Sequence, residues 1–242
     1  MSQMKNKGIA VALVKTEKPK ITIKFLGTSN GESLPRVGCD CAQCVSKDKK
    51  DTRLRSSLLV NRKILIDATP DILKELTKTQ IEKLELVLIT HDHSDHCGGI
   101  KDILKIKPNL EIVRLKPGQH FKWEGIEFYA FKVMHSLSIV TVGLEMGPVV
   151  YIPDVNNLIT ATKYFKESKI AILDGSVINR STLGHLAINE IIAQTKNLRN
   201  LRKIYFSHNG HTKRTHKEMV KTVKALGDER YSLAYDGLEL NI

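Results

Sequence analysis

Six consecutive residues, His91, Asp92, His93, Ser94, Asp95 and His96, hold three imidazoles and two carboxylates. Both groups suit a divalent cation such as Zn²⁺, Mn²⁺ or Fe²⁺. His91 and His93 are two apart, so an extended backbone sends both side chains to one side. Asp95 and His96 follow on a turn, where the chain can swing back. One ion can then be met by His91 and His93, and a second, close by, by Asp95 and His96. A solvated loop seldom reaches five potential ligands in six positions by chance.

The elements that must position this cluster are legible around it. ELVLIT (85–90) is a continuous branched apolar run, the pattern of a fully buried strand. It delivers the cluster at its C-terminal end, where α/β sheets place their sites. ITIKFLG (21–27) is a β-rich run leading into the turn-rich loop TSNGESLPRVGCDCAQC. SSLLV and KILIDAT read as two buried strands with Asn61 and Arg62 at the turn. After Pro70, DILKELTKTQIEKL predicts one helix, with Ile72, Leu73, Leu76 and Leu84 at helical spacing. Segments 111–115, 121–133 and 140–152 read as antiparallel strands with glycine turns. The second half alternates: helix 157–168, strand 170–176, helix 185–196, strand 203–208, helix 213–226, strand 231–237. Two β-rich halves with intervening helices predict an α/β sandwich of sheets, covered by helices on both outer faces. No low-complexity tract or solenoid repeat interrupts the pattern.

At 242 residues, with 41% apolar and 26% charged, the chain has ordinary globular composition and one domain is expected. The early apolar run IAVALV (9–14) is far too short to cross a bilayer, and no small-residue cleavage site precedes the charged KTEKPK. We read residues 1–20 as an N-terminal extension carrying an extra strand or arm, 21–242 as a single domain, and the cytoplasm as the expected compartment. IAVALV could also serve as an edge strand between the subunits of a homodimer. Lys and Arg total 38 against 26 Asp and Glu, so a formal charge of +12 is compatible with a nucleic acid or another phosphate-bearing partner. Basic residues are dense only at 47–55 and 211–221, and 5% aromatic content leaves few stacking platforms for single strands. Four cysteines in an intracellular chain point to metal ligands or core residues rather than disulfides. Three of them, Cys39, Cys41 and Cys44, sit in CDCAQC.

The run from His91 to His96, H-x-H-x-D-H continued by Gly98 and Gly99, resembles the signature of the metallo-β-lactamase fold hydrolases. The resemblance covers the chain from about residue 21 onward and implies a four-layer αββα sandwich. It also implies the rest of a two-metal ligand set: His135 in FKVMHS, Asp154 in VVYIPD as the bridging carboxylate, and His208 in KIYFSH. Asp67 in LIDA matches the buried aspartate behind the ligands. Taken singly, a His or Asp after a strand is usually a loop-mouth or capping residue; the ordered set carries the resemblance. A hydroxide bridging two divalent ions (Zn²⁺ or Mn²⁺, or Fe²⁺) is the implied nucleophile, with Asp95 both ligand and catalytic residue.

Within that fold, CDCAQC together with SHNGH resembles the PhnP-like group, whose founder is a phosphoribosyl cyclic phosphodiesterase. This implies a structural Zn²⁺ on Cys39, Cys41, Cys44 and His211; three thiolates and one imidazole make a closed tetrahedral site. His185 in STLGHLAINE matches a histidine used there as general acid, a role suited to imidazole near neutral pH; the alternative is a residue that only supports the start of a helix. Cys97 reads as a small buried residue, His120 and His216 as surface residues, and Trp123 as packing. The loop GTSNGESLPRVG departs from the group's usual G-T-G. The implied activity is hydrolysis of a small cyclic or nucleotide-like phosphodiester. A nuclease resembling tRNase Z or the ribonuclease J group is the second reading, although no Gly- and Pro-rich arm or added nucleic-acid-binding domain is visible. Thioester or lactone hydrolysis stays open, and a non-hydrolytic adaptor is opposed by the complete ligand set.

Overall fold

The strand β4 (Leu86–Ile89) shows how the chain builds its layers. Leu86 and Leu88 enter one apolar cluster while Val87 and Ile89 enter another, as the two-residue period of a strand buried on both faces requires. The structure is a computed structural model that describes residues 19–242.

β4 belongs to a six-stranded sheet with β1 (Thr22–Gly27), β2 (Ser57–Val60), β3 (Ile64–Ile66), β5 (Glu111–Arg114) and β13 (Glu239–Asn241), in the order β13-β1-β2-β3-β4-β5. The second sheet holds β6 (His120–Trp123), β7 (Ile126–Val133), β8 (Thr141–Met146), β9 (Val149–Ile152), β10 (Ile170–Asp174), β11 (Lys203–Ser207) and β12 (Tyr231–Leu233), ordered β12-β11-β10-β9-β8-β7-β6. Ile23, Phe25, Ile66 and Leu88 from the first sheet meet Phe128, Val142, Leu144 and Ile172 from the second in the central core. Helices α1 (Ile72–Glu75), α2 (Lys78–Glu82) and α4 (Ile100–Ile106) cover the first sheet through Ile72, Ile81 and Ile103. The second sheet is covered by α5 (Ile188–Thr195) and α6 (His216–Leu226) through Ile188, Ile191, Met219 and Val223. The short helix α3 (Ser94–Cys97) follows β4. The architecture is the expected four-layer αββα sandwich.

Several local expectations are corrected. The single helix after Pro70 is two: Leu76 is extended, and Thr77 starts α2 with a capping box to Gln80. The phase of the helical face is lost there, which leaves Leu73 exposed. β5 pairs parallel with β4, not antiparallel, because the α3–α4 crossover returns the chain in the same direction. Segment 157–168 forms only a 3₁₀ turn, Thr162–Phe165; the Asn157 side chain accepts from the Ile159 N–H at 2.7 Å, a local bond that competes with helix. Asn61 and Arg62 do form the hairpin turn, both with positive φ, 48° and 59°. IAVALV and the rest of residues 1–18 lie outside the described residues. Among the described residues no helix is long and apolar enough to cross a membrane.

Candidate active site

The chain ends of β4, β7, β9, β10 and β11 lie together and deliver His91, His135, Asp154, Asp174 and His208. The turn after β4 adds His93 and, from α3, Asp95 and His96. His93 Nδ1 lies 3.0 Å from His91 Nε2 and 3.2 Å from His135 Nε2. Asp95 Oδ2 lies 3.4 Å from both His96 Nε2 and His208 Nε2. Between these two trios stands Asp154: its Oδ2 is 3.3 Å from His91 Nε2 and 2.9 Å from His96 Nε2, and its Oδ1 is 3.1 Å from His208 Nδ1.

This arrangement fits cations. Ligand atoms about 2.0–2.1 Å from one ion in tetrahedral array stand roughly 3.3 Å apart, close to the spacings above. Asp154 Oδ1 is buried yet makes no hydrogen bond of proper geometry, an orphaned acceptor that a cation would satisfy. The outer edges of the imidazoles are already held. Gly184 O lies 2.7 Å from His135 Nδ1, and Asp67 Oδ2 lies 2.7 Å from His96 Nδ1, so each turns Nε2 inward. Asp67 is fixed in turn by the Thr90 N–H at 2.8 Å and the Thr90 hydroxyl at 3.0 Å. Ser176 Oγ lies 2.9 Å from His208 Nδ1, and the His208 N–H donates to Ser56 Oγ at 2.9 Å.

The charges are strongly coupled. Burial, with repulsion from His96, pushes His91 down to about 2. Burial opposes the charge on His96 as well, but Asp67 and Asp154 outweigh it and hold His96 well above the usual imidazole value. Burial would also raise Asp95 and Asp154; His208 and His96 hold both carboxylates below their ordinary range, so both stand ionised.

His185 lies beside this cluster in the loop three residues before α5, so it does not open that helix as expected. Its Nδ1 is 2.7 Å from Asp174 Oδ2 and 3.5 Å from Asp154 Oδ1, and its ring is 5.6 Å from that of His208. Burial alone would lower it, but Asp174 and then Asp154 raise it to about 9. Asp174 also accepts from the Ser176 hydroxyl at 2.6 Å. Sequence reasoning missed Asp174, Ser176 and Gly184. AILD closes a buried strand with Asp174 just as VVYIPD leads to Asp154, so that signal was available; a carbonyl such as Gly184 O leaves none.

A second donor cluster joins the loop after β1 to the loop after β11. Sγ of Cys39, Cys41 and Cys44 lie 3.6, 3.2 and 3.4 Å from His211 Nε2. Zn–S and Zn–N bonds of about 2.3 and 2.0 Å at a tetrahedral angle give an S···N separation of about 3.5 Å, so the four side chains fit one zinc ion. All four cysteines are free of disulfides. Cys97 ends α3, half-buried against the outer core of the first sheet. His120 is exposed and pairs with Glu127 at 2.9 Å. Trp123 packs against the central core. His216 corrects the surface reading: as first residue of α6 it is buried, with Nδ1 accepting from Arg53 Nη2 at 2.9 Å.

The chain has the metallo-β-lactamase fold, and residues 62–112 match the Beta-lactamase superfamily domain. Its backbone is similar to that of a diphosphatase from the PhnP family (TM-score 0.79, 24% identity, covering 93% of this chain and 98% of that one). It is similar also to the short form of human tRNase Z (TM-score 0.63, 14% identity, 90% and 98% covered). Among curated proteins, an octanoyltransferase of Porphyromonas gingivalis is 24% identical over 89% of the chain, which spans half the length of that relative.

Proposed function

We propose that the protein is a metal-dependent phosphodiesterase that cleaves a small cyclic or nucleotide-like phosphodiester. The observation that carries this reading is the placement of His185. With Nδ1 held by Asp174, the other ring nitrogen is left to deliver a proton beside the two donor trios. An alkoxide leaving a phosphodiester is strongly basic and departs with a proton. A thiolate, with a conjugate acid near 8.5, leaves without one, so a dedicated donor favours the ester over a thioester.

His91, His93, His135 and Asp154 would hold one divalent cation, and Asp95, His96, His208 and Asp154 a second. Bound there, such ions supply Lewis acidity and an activated water. The chain's own residues do the rest. Asp67 and Gly184 O orient His96 and His135, and Asp174 orients His185. Water adds to phosphorus and releases a proton to solvent, the P–O bond to the leaving group breaks, and His185 protonates the departing oxygen and is reprotonated from solvent. A structural zinc on Cys39, Cys41, Cys44 and His211 would fasten the long loop after β1 next to His208. The likeness to a PhnP-family diphosphatase supports a phosphorus-centred substrate; the likeness to tRNase Z and the charge of +12 favour nucleic acid as the second reading.

The test pairs His185→Asn with two leaving groups. Loss of the donor should cost about 10²-fold or more in kcat on an alkyl-leaving cyclic phosphodiester and less than about tenfold on bis-p-nitrophenyl phosphate, whose phenolate needs no proton. Equal losses on both would remove the acid from His185 and the reading with it. Cleavage of RNA that falls steeply with salt, with no activity on small diesters, would assign the nuclease instead.

A further inference from the structure

A cleft of about 420 Å³ opens beside the donor cluster, and His135 itself forms part of its wall. The remainder comes from the end of β7, the β7–β8 loop with Leu137, Ile139 and Val140, the start of β8, and Asn156 and Thr160 after β9. Lys132 is the only Lys, Arg, Asp or Glu among its lining residues. Its size falls within the range usual for small-molecule pockets.

The rim of this cleft is unusual for a protein surface. Among the described residues nine large hydrophobic side chains are exposed; three of them line the cleft, a fourth adjoins its lining residue Thr160, and a fifth lies on a segment bonded to Asn156. Met134, Leu137 and Val140 are on the β7–β8 loop, Ile159 follows β9, and Leu183 precedes α5. Asn156 ties the three segments together: its Nδ2 donates to His135 O at 3.3 Å and to Leu183 O at 2.9 Å, while its N–H donates to Met134 O. Leu137 and Leu183 are as exposed as in an unfolded chain, at 106% and 96%. Apolar groups concentrated in this way mark a binding surface.

We propose that this cleft binds an aliphatic arm of the substrate, which narrows the preferred substrate to an acyclic phosphodiester in which one ester group is an uncharged alkyl chain. The inference rests on the phosphodiesterase reading. Its grounds are contiguity and chemistry: a group seated between Leu137 and Val140 is continuous with the face of His135, which belongs to the proposed centre, and no array of cations lines the cleft to receive a second phosphate.

The test measures binding and turnover separately. Zinc-loaded protein is titrated calorimetrically with methyl-, butyl- and octylphosphonate, while methyl, butyl and octyl p-nitrophenyl phosphates are assayed in parallel. Full burial of each methylene is worth roughly a fourfold gain, so Kd is expected to fall about two- to fourfold per methylene. The double variant Leu137→Ser/Val140→Ser should flatten that gradient; Val37→Ser, an equally exposed residue on the loop after β1, should leave it intact. A flat gradient in the unaltered protein overturns the inference, as does a gradient that survives in the double variant. A dimer that forms with rising concentration and is lost in the double variant, with a flat gradient, would assign the rim to a second copy of the chain. A binding gradient without turnover of any diester would instead overturn the phosphodiesterase reading alone.

Discussion

The carboxylate of Asp67 lies 2.7 Å from Nδ1 of His96 while Nε2 of the same ring lies 2.9 Å from Asp154. One imidazole therefore links a residue behind the site to the carboxylate at its centre. Asp67 holds a left-handed backbone conformation, φ 65°, and is fully buried, so its orientation is set by the fold rather than by solvent.

Replacing Asp67 with Asn tests that link. Asn tolerates the left-handed backbone and keeps the size of the side chain, but removes the charge that raises the basicity of His96. Metal affinity at the candidate centre is expected to fall about 10- to 100-fold, read by competition with a chromophoric chelator, with far-ultraviolet circular dichroism unchanged. An unaltered affinity would mean that Asp67 serves packing only.

The thiol cluster makes a separate prediction. Metal analysis should find one zinc fewer in Cys41→Ser than in the unaltered protein, whereas Asp154→Ala should lose metal from the other centre and retain this zinc. A ligand present at a thousand times its dissociation constant stabilises the fold by about 4 kcal/mol. Its loss should therefore lower Tm by roughly 8–16 °C for a domain of this size. Equal metal content and Tm in Cys41→Ser would refute a zinc role for these thiols.

The layers and most of the site were legible in the sequence because both rest on strong local patterns. ELVLIT must be buried on both faces, and the donors cluster immediately after it. His135, Asp154 and His208 were placed through a resemblance, since a single polar residue after a strand says nothing of its neighbours in space. The misreadings have physical causes. DILKELTKTQIEKL has helical spacing throughout, but the capping box of Thr77 and Gln80 restarts the helix. His216 reads as a surface residue because nothing beside it in sequence reveals that Arg53, 163 positions away, is buried against it. The role of Asp174 depends on a partner, His185, that is 11 residues distant and in no common element.

Glu75 supplies the pH prediction. Its carboxylate, at the end of α1, accepts 2.6 Å bonds from the hydroxyls of Ser57 and Thr69. Burial is the dominant influence on it, the two hydroxyls counteract in part, and the nearby Asp71 and Asp236 repel its charge; together they push it from 4.5 up to about 7. A carboxyl raised in the folded state binds its proton more tightly there than in the unfolded chain. The stability it contributes is thus complete below about pH 4.5 and is lost as pH rises through about 7. A shift of this size corresponds to a ceiling of about 3 kcal/mol. Glu75→Gln keeps one acceptor and offers a donor to the other hydroxyl, and it cannot ionise. Its Tm should match that of the unaltered protein near pH 5 and exceed it by several degrees at pH 8. Asp236, raised to about 6 by the same dominant burial, acts in the same direction in both proteins, so the difference between them reports Glu75 together with its repulsion of Asp236. Melting curves that stay parallel from pH 5 to 8 would show that Glu75 is already ionised in the fold at the lower pH.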